Sequence, residues 1–196
     1  MTDRSFAIPD ALFRKISQGD RKSFRVFYDI AYPFIYQFAH YFLPSKSDCE
    51  EVVSEVFYII WKQRESLPAV NYLKSWLYTI CRNEAFRYLK QRENYRNISI
   101  DDLPVELLVD ASAIESKLIE EEMLDVYNTA VSELPERCKL IFLMVREQRL
   151  KYKEIARILS ITEGTVEQQM NIAIRKIVSA VHAYYPFINP PKANKR

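Results

Sequence analysis

Basic and aromatic side chains alternate along Tyr72–Glu93 (YLKSWLYTICRNEAFRYLKQRE), where Lys74, Arg82, Arg87, Lys90 and Arg92 are interleaved with Tyr78, Asn83 and Tyr88. Cations neutralise phosphates and aromatic rings stack on bases, so this pattern suits a surface that tracks a nucleic-acid backbone. A solvated charged helix has much the same composition. A second chemically loaded set is acidic: Asp48, Glu50, Glu51 and Glu55, with Phe57 and Trp61 beside them. Acids in the first turns of a helix are favoured by its dipole, and the same face would also receive a basic partner. Covalent chemistry has little to stand on. Cys49, Cys81 and Cys138 are odd in number and far apart, and His40 and His182 lie near no cysteine pair, so reduced thiols and no metal site are expected. There is no glycine-rich phosphate loop and no nucleophile beside a base, so no catalytic residue and no cofactor are expected.

The elements that must position these residues read as helices throughout. The 196 residues include only two glycines, Gly19 and Gly164, and no sustained alternation of apolar and polar residues. Prolines fall between the candidate helices. Net charge is +2, but residues 1–100 carry +4, residues 101–133 carry −9 and residues 134–196 carry +7. Two basic ends around an acidic middle suggest two nucleic-acid-facing modules and a linker that avoids or mimics nucleic acid. No apolar run reaches membrane-spanning length and the N-terminus lacks a signal-peptide core, so a cytoplasmic location is expected.

Taken in order, residues 10–19 predict a short helix ended by Gly19, with Asp20 capping the next. That helix spans about Arg21–Phe42, is crowded with aromatic core residues, and is expected to kink or restart at Pro33. Ser47 or Asp48 should cap a helix over Ser47–Arg64, and Glu65–Asn71 reads as a loop before the basic helix. Residues 94–112 lose periodicity. A helix follows from about Ala113 to Glu133 with Leu118, Leu124, Tyr127 and Val131 inward, then Pro135 in the first turn of an almost wholly apolar helix, Cys138–Glu147.

Leu150–Ile177 (LKYKEIARILSITEGTVEQQMNIAIRKI) reads as two helices joined by a tight turn. Ile155, Ala156 and Leu159 give the first an apolar face, and Val166, Met170, Ala173 and Ile177 give the second its stripe. Thr162 can cap the second helix, in competition with Ser160 and Glu163 as a capping box. Small Ala156 allows a close crossing. This is the geometry of a helix-turn-helix, whose second helix enters the major groove, although an ordinary helical hairpin has a similar pattern.

Taken together, the chain resembles the extracytoplasmic-function (ECF) sigma factors, the minimal sigma factors of bacterial RNA polymerase, over roughly residues 8–184. The family's acidic helix is matched by the run from Asp48 to Phe57 closing on Trp61, and its W-L-x-x-I-x-x-N by Trp76, Leu77, Ile80 and Asn83. Its LPE-opening helix is matched at Leu134–Glu136, and its E-I-A…I-x-x-G-T-V at Glu154–Ala156 and Gly164–Val166. The resemblance implies an all-α protein of two small helical domains: region 2 over 1–95, an acidic linker over 96–112, region 4 with the helix-turn-helix over 113–185, and a tail over 186–196. It implies that Asp48, Glu51, Glu55 and Trp61 meet the β′ clamp helices of core RNA polymerase. Asn71, Lys74, Arg82, Asn83, Arg87 and Lys90 would hold the −10 element. Lys153, Thr162, Glu163, Thr165, Glu167, Gln168, Asn171 and Arg175 would read the −35 element, and region 4 would touch the β flap. Promoter DNA and an anti-sigma factor are the other implied partners, with no small-molecule substrate. A free-standing helix-turn-helix regulator is the alternative, but it has no need of the acidic helix or the acidic linker.

Two departures stand out. Arg87 stands where family members often carry aspartate. The second helix of the motif reads Glu167, Gln168, Gln169 and Asn171 where Lys and Arg are common. Glutamate disfavours phosphate and can accept from cytosine N4, while Gln and Asn suit adenine. Phosphate contacts should therefore fall to Lys151, Lys153, Arg157, Arg175 and Lys176 around it.

Overall fold

The computed structural model describes residues 8–70, 72–93 and 118–186. Among them are eight α-helices and no strand: α1 (Asp10–Ser17), α2 (Arg21–His40), α3 (Lys46–Lys62), α4 (Leu73–Glu93), α5 (Leu118–Ser132), α6 (Glu136–Arg146), α7 (Tyr152–Leu159) and α8 (Glu163–Tyr184). The acidic segment 96–112 and the start expected at Ala113 lie outside the described residues.

Local chemistry sets most of the boundaries. Gly19 takes φ +88°, a left-handed conformation that a side chain would strain, and its N–H donates to the Ile16 carbonyl. Asp20 then caps α2 as expected, accepting from the Lys22 N–H at 3.0 Å and the Ser23 hydroxyl at 2.7 Å. Pro33 neither restarts nor ends α2, which runs through it to His40. The ring is exposed and the carbonyl four residues back belongs to exposed Asp29, within reach of water. α3 begins earlier than the sequence suggests. Ser45 is its cap, accepting from the Asp48 N–H at 3.5 Å, so Ser47 and Asp48 already lie inside the helix. The expected loop at Glu65 is a 3-10 turn over Arg64–Ala69.

The core of the first module is aromatic. Phe27, Phe38, Tyr41 and Phe42 are buried together with Ile16, Ile35, Val53, Val56, Ile60, Leu77 and Cys81. Phe38 stacks on Tyr78 of α4 at 4.3 Å, and Phe27 meets Phe13 and Phe57 edge-on at 6.0 Å each. Removing one such ring costs roughly 3–5 kcal/mol, so this cluster dominates the stability of α1–α4. In the second module α6 is buried along nearly its whole length, from Cys138 to Met144. It is walled by α8, whose Val166, Met170, Ala173 and Ile177 are buried at the spacing read from the sequence. Pro135 is the cap of α6, one residue before its first turn. Leu124 is exposed on α5, whereas Val131 is buried and Tyr127 half-buried.

Candidate nucleic-acid interface

α7 and α8 form the helix-turn-helix. Ile155, Ile158 and Leu159 bury the apolar side of α7, and Ala156, also buried, leaves room for α8 to cross. The turn is made by Ser160, which takes φ 56°, ψ 44° as the C-cap of α7 and therefore does not start a capping box. Its left-handed backbone lets the Ile161 N–H donate to the Ala156 carbonyl at 3.0 Å and reverses the chain. Thr162 is the cap of α8: its Oγ1 accepts from the Thr165 N–H at 3.1 Å and lies 2.8 Å from the Thr165 hydroxyl. At the other end of the motif, the Glu154 carboxylate accepts from the Lys151 N–H at 2.9 Å, starting α7.

This scaffold presents one polar face. Gly164, Glu167, Gln168, Asn171, Ile174 and Arg175 line a shallow groove along the outer side of α8. Glu163, Glu167, Gln168, Asn171 and Arg175 are exposed there, and Thr165 is half-buried by its part in the cap. Lys153 is exposed on α7. Arg157, expected to supply phosphate contacts, instead stands over the Tyr72 ring at 4.4 Å.

The basic face of α4 is less free than the sequence suggests. Lys90 and Asn83 are exposed, but Lys74 and Arg82 are half-buried against the second module. Lys74 Nζ donates to the Gln148 carbonyl, and Arg82 donates to the Ile158 carbonyl and, at 3.2 Å, to the Ser160 hydroxyl. Burial pulls both cations below their usual pKa, with the Glu154 carboxylate opposing the shift at Lys74. Asn83 accepts from Arg82 at 2.7 Å. Arg87 is held by Glu84 at 2.6 Å and lies 3.9 Å from Glu55. Asn71 lies outside the described residues. The contacts of Lys74 and Arg82 with the second module have no sequence signal, because they join residues more than seventy positions apart.

The acidic face divides in the same way. Glu51 is exposed in the second turn of α3, and Trp61 is half-buried, packed 4.9 Å from Phe24. Asp48, by contrast, accepts from the Tyr88 hydroxyl at 2.9 Å and from Arg92 at 2.5 Å. Together with the Glu55–Arg87 pair, it ties α3 to α4. The three cysteines are buried and form no disulfide, and burial pushes the Cys81 thiol well above its usual value, which keeps it neutral and unreactive. Among the described residues no group of His, Cys, Asp and Glu could hold a metal ion, and no helix is long and apolar enough to cross a membrane.

Comparison with known proteins matches both modules in order. The model for Sigma-70 region 2 covers residues 27–95, and that for Sigma-70, region 4 covers residues 124–177. The ECF RNA polymerase sigma-E factor of Escherichia coli (strain K12) is 24% identical over 166 residues, covering 81% of this chain and 86% of that protein. The sigma-E factor of Haemophilus influenzae is 25% identical over 167 residues, covering 82% and 88%. Among solved structures, that of CnrH in complex with the cytosolic domain of CnrY shares the fold with a TM-score of 0.57 at 15% identity, over 89% of this chain and 97% of that one. Proteins of this family are generally not enzymes, in keeping with their role as the DNA-recognition part of a larger polymerase. With a helix-turn-helix behind a basic, aromatic helix and both family regions in sequence, the chain belongs to the ECF sigma factors: it binds core RNA polymerase, recognises −35 and −10 promoter elements and promotes transcription initiation.

Proposed function

We propose the following division of labour along the chain. Region 2, over residues 1–95, meets the β′ clamp helices through the α3 face carrying Asp48, Glu51, Glu55 and Trp61. Glu51 supplies the exposed charge, while Asp48 and Glu55 shape that face through their pairs with Arg92 and Arg87. Asn71, Lys74, Arg82, Asn83, Arg87 and Lys90 hold the −10 element as its bases unstack. The acidic segment 96–112 leads to region 4 over residues 113–185, which touches the β flap, and residues 186–196 form a tail. The protein works in the cytoplasm, where an anti-sigma factor holds it until it is needed.

The observation that carries the DNA reading is the polar face of α8. Thr162 fixes the start of the helix, and from there Glu163, Glu167, Gln168, Asn171 and Arg175 point to one side. With amides and carboxylates in place of cations, this face contributes base discrimination more than phosphate affinity, each well-made base contact being worth about 1–3 kcal/mol. Lys153 and Thr165 complete it at the edges.

Co-elution of the purified chain with core RNA polymerase tests the polymerase face. The Glu51→Arg variant should lose the association, because it reverses an exposed charge without touching the α3–α4 ties. Undiminished co-elution of that variant would move the interface off α3. For the −35 face, Gln168→Ala and Asn171→Ala should each relax selection at one promoter position in a randomised-site selection. Unchanged preferences in both would remove these residues from the reading.

A further inference from the structure

Along the outer side of α8, Glu167, Asn171 and Ile174 follow one another at i, i+4 and i+7, the spacing that sets side chains in one row on a helix. All three are exposed, and all three line the shallow groove beside the helix. The first two carry a carboxylate and an amide, which suit cytosine N4 and adenine. The third is an isoleucine. It keeps 46% of its surface in solvent, and among the described residues it is the one large exposed apolar side chain in that groove.

The core of the second module does not call for an apolar group at this position. α8 is buried through Val166, Met170, Ala173 and Ile177, and Ile174 stands to one side of that stripe, about 70° around the helix from its centre. The Arg175 Nε donates to the Asn171 carbonyl at 3.3 Å, so the charged neighbour of Ile174 is turned back along the helix. A lone apolar side chain on a protein surface is ordinary. In a row of base-directed polar groups it has a matching partner, because the major-groove edge of thymine carries a C5 methyl group that the other three bases lack.

We propose that Ile174 is a specificity-determining residue of the −35 face and that it reads thymine, through contact with the C5 methyl. The proposal rests on the assignment of this face of α8 to the −35 element. Isoleucine neither donates nor accepts a hydrogen bond, so its contribution is the burial of one methyl group, worth about fourfold in affinity. The position of that thymine follows from the helix. At a rise of about 1.5 Å per residue, Asn171 and Ile174 are about 4.5 Å apart along the axis and Glu167 and Ile174 about 10 Å. Base pairs follow one another at about 3.4 Å. With α8 lying along the groove, the row spans about three base pairs, and the thymine lies about one or two base pairs from the base that Asn171 reads.

The test uses holoenzyme assembled from the full chain and core RNA polymerase. Randomised-site selection first gives the preferred −35 sequence and the position that Asn171→Ala relaxes. Each thymine of that sequence is then replaced singly by uracil, which keeps the O4 acceptor and the base pairing and lacks only the methyl group. Competition binding compares these duplexes for wild type and for Ile174→Ala, an exposed substitution that puts the best helix former into α8 and leaves the fold intact. One uracil, about one or two base pairs from the Asn171 position, should weaken wild-type binding by about fourfold. Ile174→Ala should show a similar loss on the thymine duplex and no further loss on the uracil duplex.

Equal weakening of both duplexes by Ile174→Ala would place Ile174 against sugar or backbone and overturn the proposal. So would the lack of any methyl-sensitive thymine beside the Asn171 position. In both cases, if Gln168→Ala and Asn171→Ala still relax the selection, the −35 reading stands and only the role of Ile174 falls. If all three replacements leave the selected sequence and the affinity unchanged, the −35 reading falls and the proposal with it.

Discussion

Replacing Asp48 with alanine separates two roles that the sequence merges. In the structure its carboxylate accepts from Tyr88 and Arg92 of α4 and its side chain retains 15% of its exposure. The Tyr88 bond is a partly buried hydrogen bond to a charged acceptor, worth about 1.5 kcal/mol, with a range of 1.5–3 for such bonds. The Arg92 side chain is 61% exposed, so its share is screened and adds no more than about 0.5 kcal/mol. Asp48→Ala should therefore destabilise the first module by about 1.5–2 kcal/mol. Urea unfolding followed by tryptophan fluorescence reads this module alone, since Trp61 and Trp76 are the two tryptophans of the chain and both lie within it. Glu51→Ala, at an exposed position of the same helix, should stay within about 0.5 kcal/mol of wild type. In a double-mutant cycle, Asp48→Ala and Tyr88→Phe should couple by about 1 kcal/mol. An Asp48→Ala chain as stable as Glu51→Ala, with no coupling to Tyr88, would show that the α3–α4 tie carries no energy and return Asp48 to a purely polymerase-facing role.

Three further outcomes follow from the same geometry. Thr162→Ala removes the cap of α8 and should cost about 1 kcal/mol, seen in the unfolding of the second module by circular dichroism; Thr162→Ser should keep most of it, and equal losses in both would mean that the hydroxyl does not cap. Lys153→Ala should weaken promoter binding by the holoenzyme uniformly across sequences and reduce the salt dependence of log K by about one; an unchanged slope would take Lys153 off the phosphates. Burial raises the Glu147 carboxyl above its ordinary 4.5, with the hydrogen bonds from Tyr41 and Gln37 opposing. A raised folded pKa means that the folded form holds its proton more tightly. The associated stabilisation is full below pH 4.5 and is lost as pH rises through the raised value. Glu147→Gln, which never ionises, should thus gain stability relative to wild type as pH climbs from 4.5 to neutrality, measured by denaturant midpoints. A gap that does not change with pH would contradict the sign.

Much of the fold was legible because it rests on local signals. Val166, Met170, Ala173 and Ile177 mark the buried stripe of α8 by spacing alone, and Asp20 and Thr162 cap their helices through side chains only two or three residues from their partners. Signals of a single residue travelled less well. Pro33 reads as a break, yet α2 continues because the lost backbone bond falls on its exposed side. Ser47 and Asp48 look like caps, but Ser45 takes that position. Leu124 fits a helical stripe and still lies exposed, since periodicity names a face and not what covers it.

The candidate site divides along the same line. Residue types and their order determined by themselves that this is an all-helical chain with a helix-turn-helix, a basic aromatic helix and an acidic one, because helical periodicity, capping and composition act over a few residues. Which charges on those helices are free to meet a partner was decided by the tertiary structure alone. Asp48 is engaged by Arg92, Arg87 lies against Glu55 of α3, and Lys74 and Arg82 are held by carbonyls of the second module. A charge is neutralised by whatever the fold brings within a few ångströms of it, and for Arg82 that is the end of a helix seventy-six positions away.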